Sequence, residues 1–184
     1  MCTAHYTPSV FACRAILAMR NDTVAAINPK ILLALSGTER EYYSIDQAES
    51  IGSNGSEHEL PVEYLQSPNL ASLPPSKLCL TVWRPVILLR NLYPKEGLCN
   101  ATQMTIICME RWCIEVQILG GEFDGTIKVL PRIKLLTTEG ELHFIPTCNQ
   151  FPIRLSFAMT VNKAQGQLLE VVGIDLCELA FTHG

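Results

Sequence analysis

The sequence predicts an α/β protein whose sheet is interrupted by a small all-β unit. Helical and strand patterns alternate in the first 46 residues, alternating and β-branched runs fill residues 77–145, and a strand–helix–strand pattern returns after residue 150. Because the same pattern stands at both ends, we expect the two ends to form one sheet, with residues 62–145 inserted as a compact β-rich unit. Strands near 14–18 and 154–158 should therefore share a sheet.

The first strand and helix follow from the N-terminal pattern. Residues 13–19 (CRAILAM) form a short apolar run that is typical of a buried strand. The following segment is rich in alanine and leucine, which favours a helix that Asn21 or Asp22 caps and Gly37 ends. Pro29 lies inside this pattern, and we expect it to kink or split the helix because proline removes a backbone hydrogen bond.

The middle of the chain predicts strands and turns. Residues 39–46 alternate as a strand does, whereas residues 47–59 are polar, rich in glycine and serine, and predict a loop. Residues 61–69 predict at most one helical turn. From residue 77 onward, β-branched runs are separated by turn signals such as Gly120-Gly121 and Asp124-Gly125. This block therefore predicts a small barrel or meander.

The last predicted elements enclose a polar turn. Residues 151–160 (FPIRLSFAMT) predict one apolar strand, residues 161–169 a short helix capped by Thr160, and residues 171–176 a final strand. In α/β sheets, ligands bind where a strand passes into a helix, and the backbone N–H groups of a helix N-terminus favour anions. Thr160, Asn162 and Lys163 can contact phosphate there, or they can form the solvated face of a capped helix.

Composition and charge limit the class of protein. The chain has 184 residues, 48% of them hydrophobic, and a net charge of −4, which is typical of a globular protein with a core. It has no apolar run of the roughly 20 residues that span a bilayer and no signal-peptide pattern, so we expect no membrane contact. Residues 77–136 carry 8 basic and 5 acidic side chains. This local excess favours nucleic acid, and chance segregation on a solvated surface is the alternative.

Cysteine, histidine and tryptophan residues each have a plain interpretation. The 8 cysteines form no Cys-x-x-Cys pair and the 4 histidines are dispersed, so we predict no metal site. The cysteines are expected to be small core residues in a reducing compartment. Trp83 and Trp112 could stack nucleic-acid bases, although tryptophans of this kind more often fill a small β core.

Three segments, in collinear order, resemble PIF-type DNA helicases of superfamily I, and in particular the branch encoded by Helitron transposons. Residues 151–176 (FPIRLSFAMTVNKAQGQLLEVVGIDL) resemble motif V of that family. Residues 73–104 resemble its 2B domain and contain the stretches LLRNL and GLCN. Residues 15–28 resemble the strand and helix that open its second motor domain, 2A.

The resemblance implies a partial RecA-like 2A domain that is interrupted by a small SH3-like 2B insertion. It gives the following division of the chain: an N-terminal extension at 1–13, a first part of 2A at 14–61, the β-rich insertion with 2B at 62–145, and a second part of 2A with motif V at 146–184.

The resemblance also implies roles for individual residues. Side chains at the end of the motif V strand would face single-stranded DNA, and the glutamine–glycine turn after them would face the nucleotide. The implied DNA-binding residues, together with two nearby cationic candidates, are Thr160, Asn162, Lys163, Arg154 and Arg90. The implied nucleotide-side residues are Gln165, Gly166 and Gln167. We expect no catalytic residue and no metal ligand.

The 184 residues contain no Gly-x-x-x-x-Gly-Lys-[Ser/Thr] stretch, which holds phosphates in such enzymes. In the family, that loop precedes the matched region and the arginine finger follows it. We therefore expect a fragment of a 5′–3′ ATP-dependent helicase, of a family acting in DNA repair and recombination. The complete family binds ATP and Mg²⁺, and we expect this chain alone to bind neither and to be inactive.

The expected partners are single-stranded DNA, bound weakly, and the missing 1A motor domain, in an intracellular and nuclear location. Two alternatives stay open: a stand-alone SH3-like module that binds nucleic acid or protein, and an inactive transposon remnant.

Several positions depart from the family pattern, namely Trp83, Arg84, Ala101, Gln103 and Leu168. We expect Trp83 and Ala101 to strain tight turns. We expect the exchanges at Gln103 and Leu168 to remove local contacts with DNA or nucleotide.

Overall fold

A computed structural model describes residues 11, 13–50, 74–136, 144–167 and 169–177. The strands are β1 Arg14–Ala18, β2 Arg40–Tyr43, β3 Ile45–Ser50, β4 Lys77–Leu80, β5 Pro85–Leu88, β6 Gln103–Met109, β7 Cys113–Ile118, β8 Ile127–Pro131, β9 Ile133–Leu136, β10 Phe144–Gln150, β11 Ile153–Leu155, β12 Ala158–Thr160 and β13 Val171–Ile174. The helices are α1 Asn21–Ala34 and α2 Val161–Ala164, with a 3₁₀ turn at Pro94–Glu96. Neither helix is long and apolar enough to cross a membrane.

The two ends of the chain form one sheet. Strand β1 lies between β12 and β13, and both pairings are parallel. Ile16 stands opposite Ala158 on one side and Gly173 on the other. The predicted union of the two ends is therefore confirmed, and α/β is the correct fold class.

The predicted apolar strand at 151–160 is in fact two strands in two sheets. Strand β11 pairs antiparallel with β5, whereas β12 pairs with β1. Ser156 and Phe157 separate them, and both are buried. The chain thus passes directly from the inserted unit into the α/β sheet. The domain boundary at 145 stays a prediction, although β11 lies beyond it and joins a strand of the insertion.

The inserted unit is built from antiparallel strands, as the sequence predicts, but β2, β3 and β11, which lie outside the predicted bounds of 62–145, pair with its strands β4, β10 and β5. Its main sheet has the order β11-β5-β6-β7-β8, with an irregular register between Ile106 and Cys108. A second sheet has the order β3-β10-β9, and β2 pairs with β4. The loop predicted at 47–59 is wrong at its start, because β3 continues to Ser50 and pairs with β10. The rest of that loop and the predicted turn at 61–69 lie outside the described residues.

Helix α1 is continuous, so the predicted split at Pro29 is wrong. Val24, Asn28 and Leu32 are buried on one face, and Pro29 lies on the exposed side, where packing of the opposite face holds the helix together. The predicted ends are also wrong: Arg20 is the N-cap residue, and the helix ends at Ala34 with Leu35 as its C-cap.

The core lies between the inserted sheets. Its fully buried side chains are mainly aliphatic and include Leu80, Leu88, Ile106, Leu130 and Phe151. The cysteines contribute less than predicted: of the six whose burial the structure describes, five are half-buried and Cys177 is exposed. Burial raises the pKa of the Cys79 thiol to about 11, which keeps it protonated and unreactive.

Candidate functional site

The site is the turn from β12 into α2. Thr160 ends the strand and is the N-cap residue of the helix, with extended backbone angles, but its side chain forms no capping hydrogen bond. The helix covers only Val161–Ala164, so the predicted helix at 161–169 is too long. Gly166 has a φ of +82°, a left-handed conformation that ends helices and that glycine adopts without strain.

Two half-buried cationic side chains lie near this turn, Lys163 on α2 and Arg154 on β11. Lys163 is half-buried, and its pKa is lowered by burial and by the neighbouring positive charge of Arg154. Burial also lowers the pKa of Arg154. Two partly desolvated like charges repel each other, so a phosphate group placed between them would relieve both effects.

The other predicted DNA contacts lie on α2, at the end of β12 and just after β5. Asn162 is exposed on α2 and Thr160 is half-buried before it. Arg90 follows Leu89, whose N–H donates to Pro152 O at 2.9 Å, which places Arg90 at the end of the β5–β11 ladder that also carries Arg154. The DNA-binding roles themselves stay predictions.

The predicted nucleotide-side residues divide into two groups. Gln165 and Gly166 are exposed. Gln167, by contrast, uses its side-chain amide within the protein, since Nε2 donates to Ala101 O at 2.7 Å and to Lys163 O at 3.1 Å. The bond to Ala101 joins the turn after α2 to the inserted unit, a contact that spacing in the sequence could not reveal.

The positions that depart from the family pattern are structurally informative. Trp83 has a φ of +64° and Ala101 a φ of +70°, where a non-glycine residue costs about 1–2 kcal/mol. This confirms the expected strain at these two turns. Gln103 is buried, and its Nε2 lies 3.9 Å from Met159 Sδ in β12. Leu168 lies outside the described residues.

Asn28 is the important residue that the sequence analysis missed. Its Nδ2 donates to Leu155 O at 3.1 Å and to Ala158 O at 3.0 Å, while Ala158 N–H donates to its Oδ1 at 2.8 Å. The side chain thereby fixes the connection between β11 and β12, directly before the site. The available signal was a polar residue between Val24 and Leu32 on the apolar face of α1.

The donor set around α2 does not fit Mg²⁺. This ion prefers carboxylate oxygens with octahedral geometry, and residues 160–167 offer a hydroxyl, three amides and an amine but no carboxylate. Asp175 lies beyond β13, where its Oδ1 accepts a hydrogen bond from Cys177 N–H that lowers its pKa. A separate group of potential metal ligands is formed by Glu39 just before β2, Glu41 on β2 and Cys79 on β4.

Comparison with known proteins identifies one domain of the chain. A family profile described as "DNA helicase Pif1, 2B domain" matches residues 63–109. Comparison with curated protein sequences gave no match.

Several solved Pif1 structures are similar to the chain. A Candida albicans Pif1 helicase has a TM-score of 0.67 at 19% identity, with 90% of this chain and 40% of that one covered. A Bacteroides Pif1 bound to single-stranded DNA has a TM-score of 0.58 at 20% identity, with 88% and 34% covered. A Pif1 studied in the unwinding of forked duplex DNA has a TM-score of 0.62 at 21% identity, with 90% and 33% covered.

The chain therefore spans about a third to two fifths of the length of these helicases. At such identities, the likeness establishes the fold, and the profile match adds the 2B domain. Both findings agree with the resemblance that the sequence showed: the chain contains a Pif1-type 2B domain and has the fold of a segment of the Pif1 helicases.

Proposed function

We propose that the chain is the DNA-contacting and coupling segment of a 5′–3′ ATP-dependent DNA helicase of the Helitron-like branch. The observation that carries this proposal is the pair of half-buried cations on either side of β12 in the chain, Arg154 on β11 and Lys163 on α2. Because burial weakens the hydration of both charges, a nearby anion stabilises them more than it would stabilise two exposed charges. The phosphate backbone of single-stranded DNA supplies such anions in series.

The second part of the proposal concerns coupling. Gln167 hydrogen-bonds to Ala101 O, and Gln103 approaches Met159, so the turn after α2 and the strand before it are both tied to the 2B unit. A rigid element with two discrete arrangements can carry coupling between two sites. We assign this task to β12, α2 and the turn that Gln167 closes, with Gln165 and Gly166 on the nucleotide side.

The proposal assigns ATP and Mg²⁺ to a separate motor domain. Phosphoryl transfer needs a phosphate-holding loop, its lysine and metal ligands, and the described residues around α2 lack that donor set. The apolar side chains of β13 support such a partner, since Val171, Val172 and Ile174 are 41–61% exposed at a sheet edge. We place the assembled helicase in the nucleus, in DNA repair and recombination.

Lys163→Ala is expected to weaken binding of a fluorescent oligo(dT) about tenfold at low salt, because one close phosphate contact is lost. It should also make the salt dependence shallower by about one released counterion. Lys30→Ala is the matched control, since Lys30 is an exposed lysine on α1 and its removal changes net charge equally. Fluorescence anisotropy at two salt concentrations measures both effects. Equal losses in the two variants would refute a local contact and leave only general charge attraction.

The chain alone is expected to release no phosphate from ATP, even with single-stranded DNA and Mg²⁺ present. The physical reason is that the described residues around α2 include neither a phosphate-holding loop nor metal ligands to position and neutralise the transferred phosphoryl group. A phosphate-release assay measures this, with Lys163→Ala as the comparison. Turnover that DNA stimulates and the substitution abolishes would require a catalytic site in this chain and would overturn the assignment.

A further inference from the structure

A cleft lies on the inserted unit. It has a volume of about 490 Å³ and is lined by β2, Ile45, the β6–β7 turn and Arg132. We call it the Trp112 cleft after the one tryptophan that lines it. Its volume falls in the range of about 300–1,000 Å³ that is usual for small-ligand sites, and none of its lining residues belongs to β12 or α2.

Exposed aromatic rings form the wall of the Trp112 cleft. Trp112 is 59% exposed and Tyr43 is 58% exposed. Trp112 stands in the tight β6–β7 turn, where Glu110 N–H donates to Cys113 O at 2.9 Å. An indole held in a short turn is presented rigidly, which lowers the entropy lost when a flat ligand stacks on it.

Arginine side chains surround this wall. The guanidinium carbon of Arg111 lies 5.1 Å from the Trp112 ring centre, and that of Arg132 lies 5.9 Å from it. Two contacts hold Arg132 in place. Its guanidinium carbon lies 5.1 Å from the Phe151 ring centre, and its Nη1 donates to Tyr43 O at 2.8 Å. Its Nε is buried and has no hydrogen-bond partner within the described part of the chain.

The charges of the cleft are not balanced by ion pairs. Within the described ranges, Arg40, Arg111 and Arg132 form no salt bridge. Of the two lining carboxylates, Glu41 is 2.7 Å from Lys77 Nζ and accepts a hydrogen bond from Tyr43 O–H at 2.7 Å. Glu110 is exposed, and its charge contributes to the raised pKa of Arg40 after the larger effect of Tyr42, so three guanidinium groups face this one carboxylate. The cleft therefore presents an excess of guanidinium groups beside an accessible indole.

We propose that the Trp112 cleft is a second contact for single-stranded DNA, in which a base stacks on Trp112 and the adjoining phosphates lie against Arg40, Arg111 and Arg132. Aromatic rings bind bases of every sequence because each base has a flat π face. Arginine matches phosphate with two parallel donors and also stacks on rings. The proposal deepens the proposed function, since it gives the same strand a contact on the 2B unit.

Trp112 can report on its own occupancy. The chain has 2 tryptophans, so Trp83→Phe leaves Trp112 as the only indole, and circular dichroism verifies that this variant folds. Titration with oligo(dT) is expected to quench the Trp112 emission. Replacing Trp112 by alanine is expected to weaken binding about tenfold, and Arg111→Gln to reduce the salt slope by about one counterion. Arg20→Gln, an exposed arginine on the α1 side, is the matched control.

The outcomes separate this proposal from the proposed function. Quenching that persists in Lys163→Ala supports the Trp112 cleft as a distinct contact. The cleft contact is overturned if oligo(dT) leaves the Trp112 emission of the Trp83→Phe variant unchanged and Trp112→Ala binds oligo(dT) as tightly as the unaltered chain. This holds even if Lys163→Ala weakens binding and so supports the proposed function. Equal quenching by polyglutamate, at equal charge concentration, also overturns it, because the cleft would then favour an acidic protein over a nucleic acid.

Discussion

Replacement of Asn28 by alanine is expected to lower the free energy of unfolding by about 2–4 kcal/mol, because it leaves buried backbone groups without partners. Three hydrogen bonds at 2.8–3.1 Å join this side chain to the β11–β12 connection. Leu155 O, Ala158 O and Ala158 N–H would all lose their side-chain partner, and water has little access, since Asn28 is only 3% exposed.

The matched control for Asn28 is the same exchange at an exposed position. Asn162→Ala on α2 should change stability by less than about 0.5 kcal/mol, as surface exchanges usually do. Urea unfolding followed by circular dichroism measures both variants. If Asn28→Ala is as stable as Asn162→Ala, the side chain does not hold the two sheets together. If both are strongly destabilised, α2 has a structural role that its exposure does not indicate.

Replacement of Phe151 by alanine is expected to cost about 3–5 kcal/mol, the usual range for a buried aromatic ring. Phe151 is fully buried, and its ring meets that of Tyr42 edge to face at 5.0 Å between centres. The same ring lies 5.1 Å from the guanidinium carbon of Arg132. Its loss therefore leaves a cavity in the core and removes the support under the Trp112 cleft.

Phe151→Leu separates these two effects. Leucine retains most of the apolar volume, so the loss of stability should be clearly smaller, while the aromatic support for Arg132 is removed. Thermal unfolding measures stability, and Trp112 emission measures the cleft. A Phe151→Ala protein with unchanged stability would contradict the position of Phe151 at the centre of the core.

The sequence predicted the fold best where a local pattern is repeated along one element. The apolar run at 13–19, the alanine- and leucine-rich segment after it, and the alternation from residue 77 each produced the expected type of element. The joining of the two ends was also predictable, because a strand–helix pattern precedes the inserted unit and returns after it.

The predictions from sequence failed where contacts between distant parts of the chain determine the structure. The apolar run at 151–160 has no break in hydrophobicity, yet β11 and β12 pair with strands far apart in the chain. Pro29 was expected to kink or split the helix, but α1 is continuous because its opposite face is buried. Val171, Val172 and Ile174 have the pattern of a buried strand, but they lie exposed at the edge of a sheet.

The site was predictable in position and less so in its contacts. The polar turn between two apolar runs indicated Thr160, Asn162 and Lys163, whereas the approach of Arg154 to Lys163 depends on the fold. The same holds for Asn28, whose partners lie 127 and 130 residues away, and for the bond from Gln167 to Ala101. Local sequence carries no information about such pairings.

Hydrogen–deuterium exchange, measured with and without oligo(dT) at low salt, tests the DNA contact at the β12–α2 turn most directly. Backbone amides exchange more slowly where a bound strand covers them or holds the turn closed. We predict slower exchange across residues 153–167 when the oligonucleotide binds, with no change across α1. An oligonucleotide that binds and leaves the exchange of residues 153–167 unaltered would contradict the proposed DNA contact.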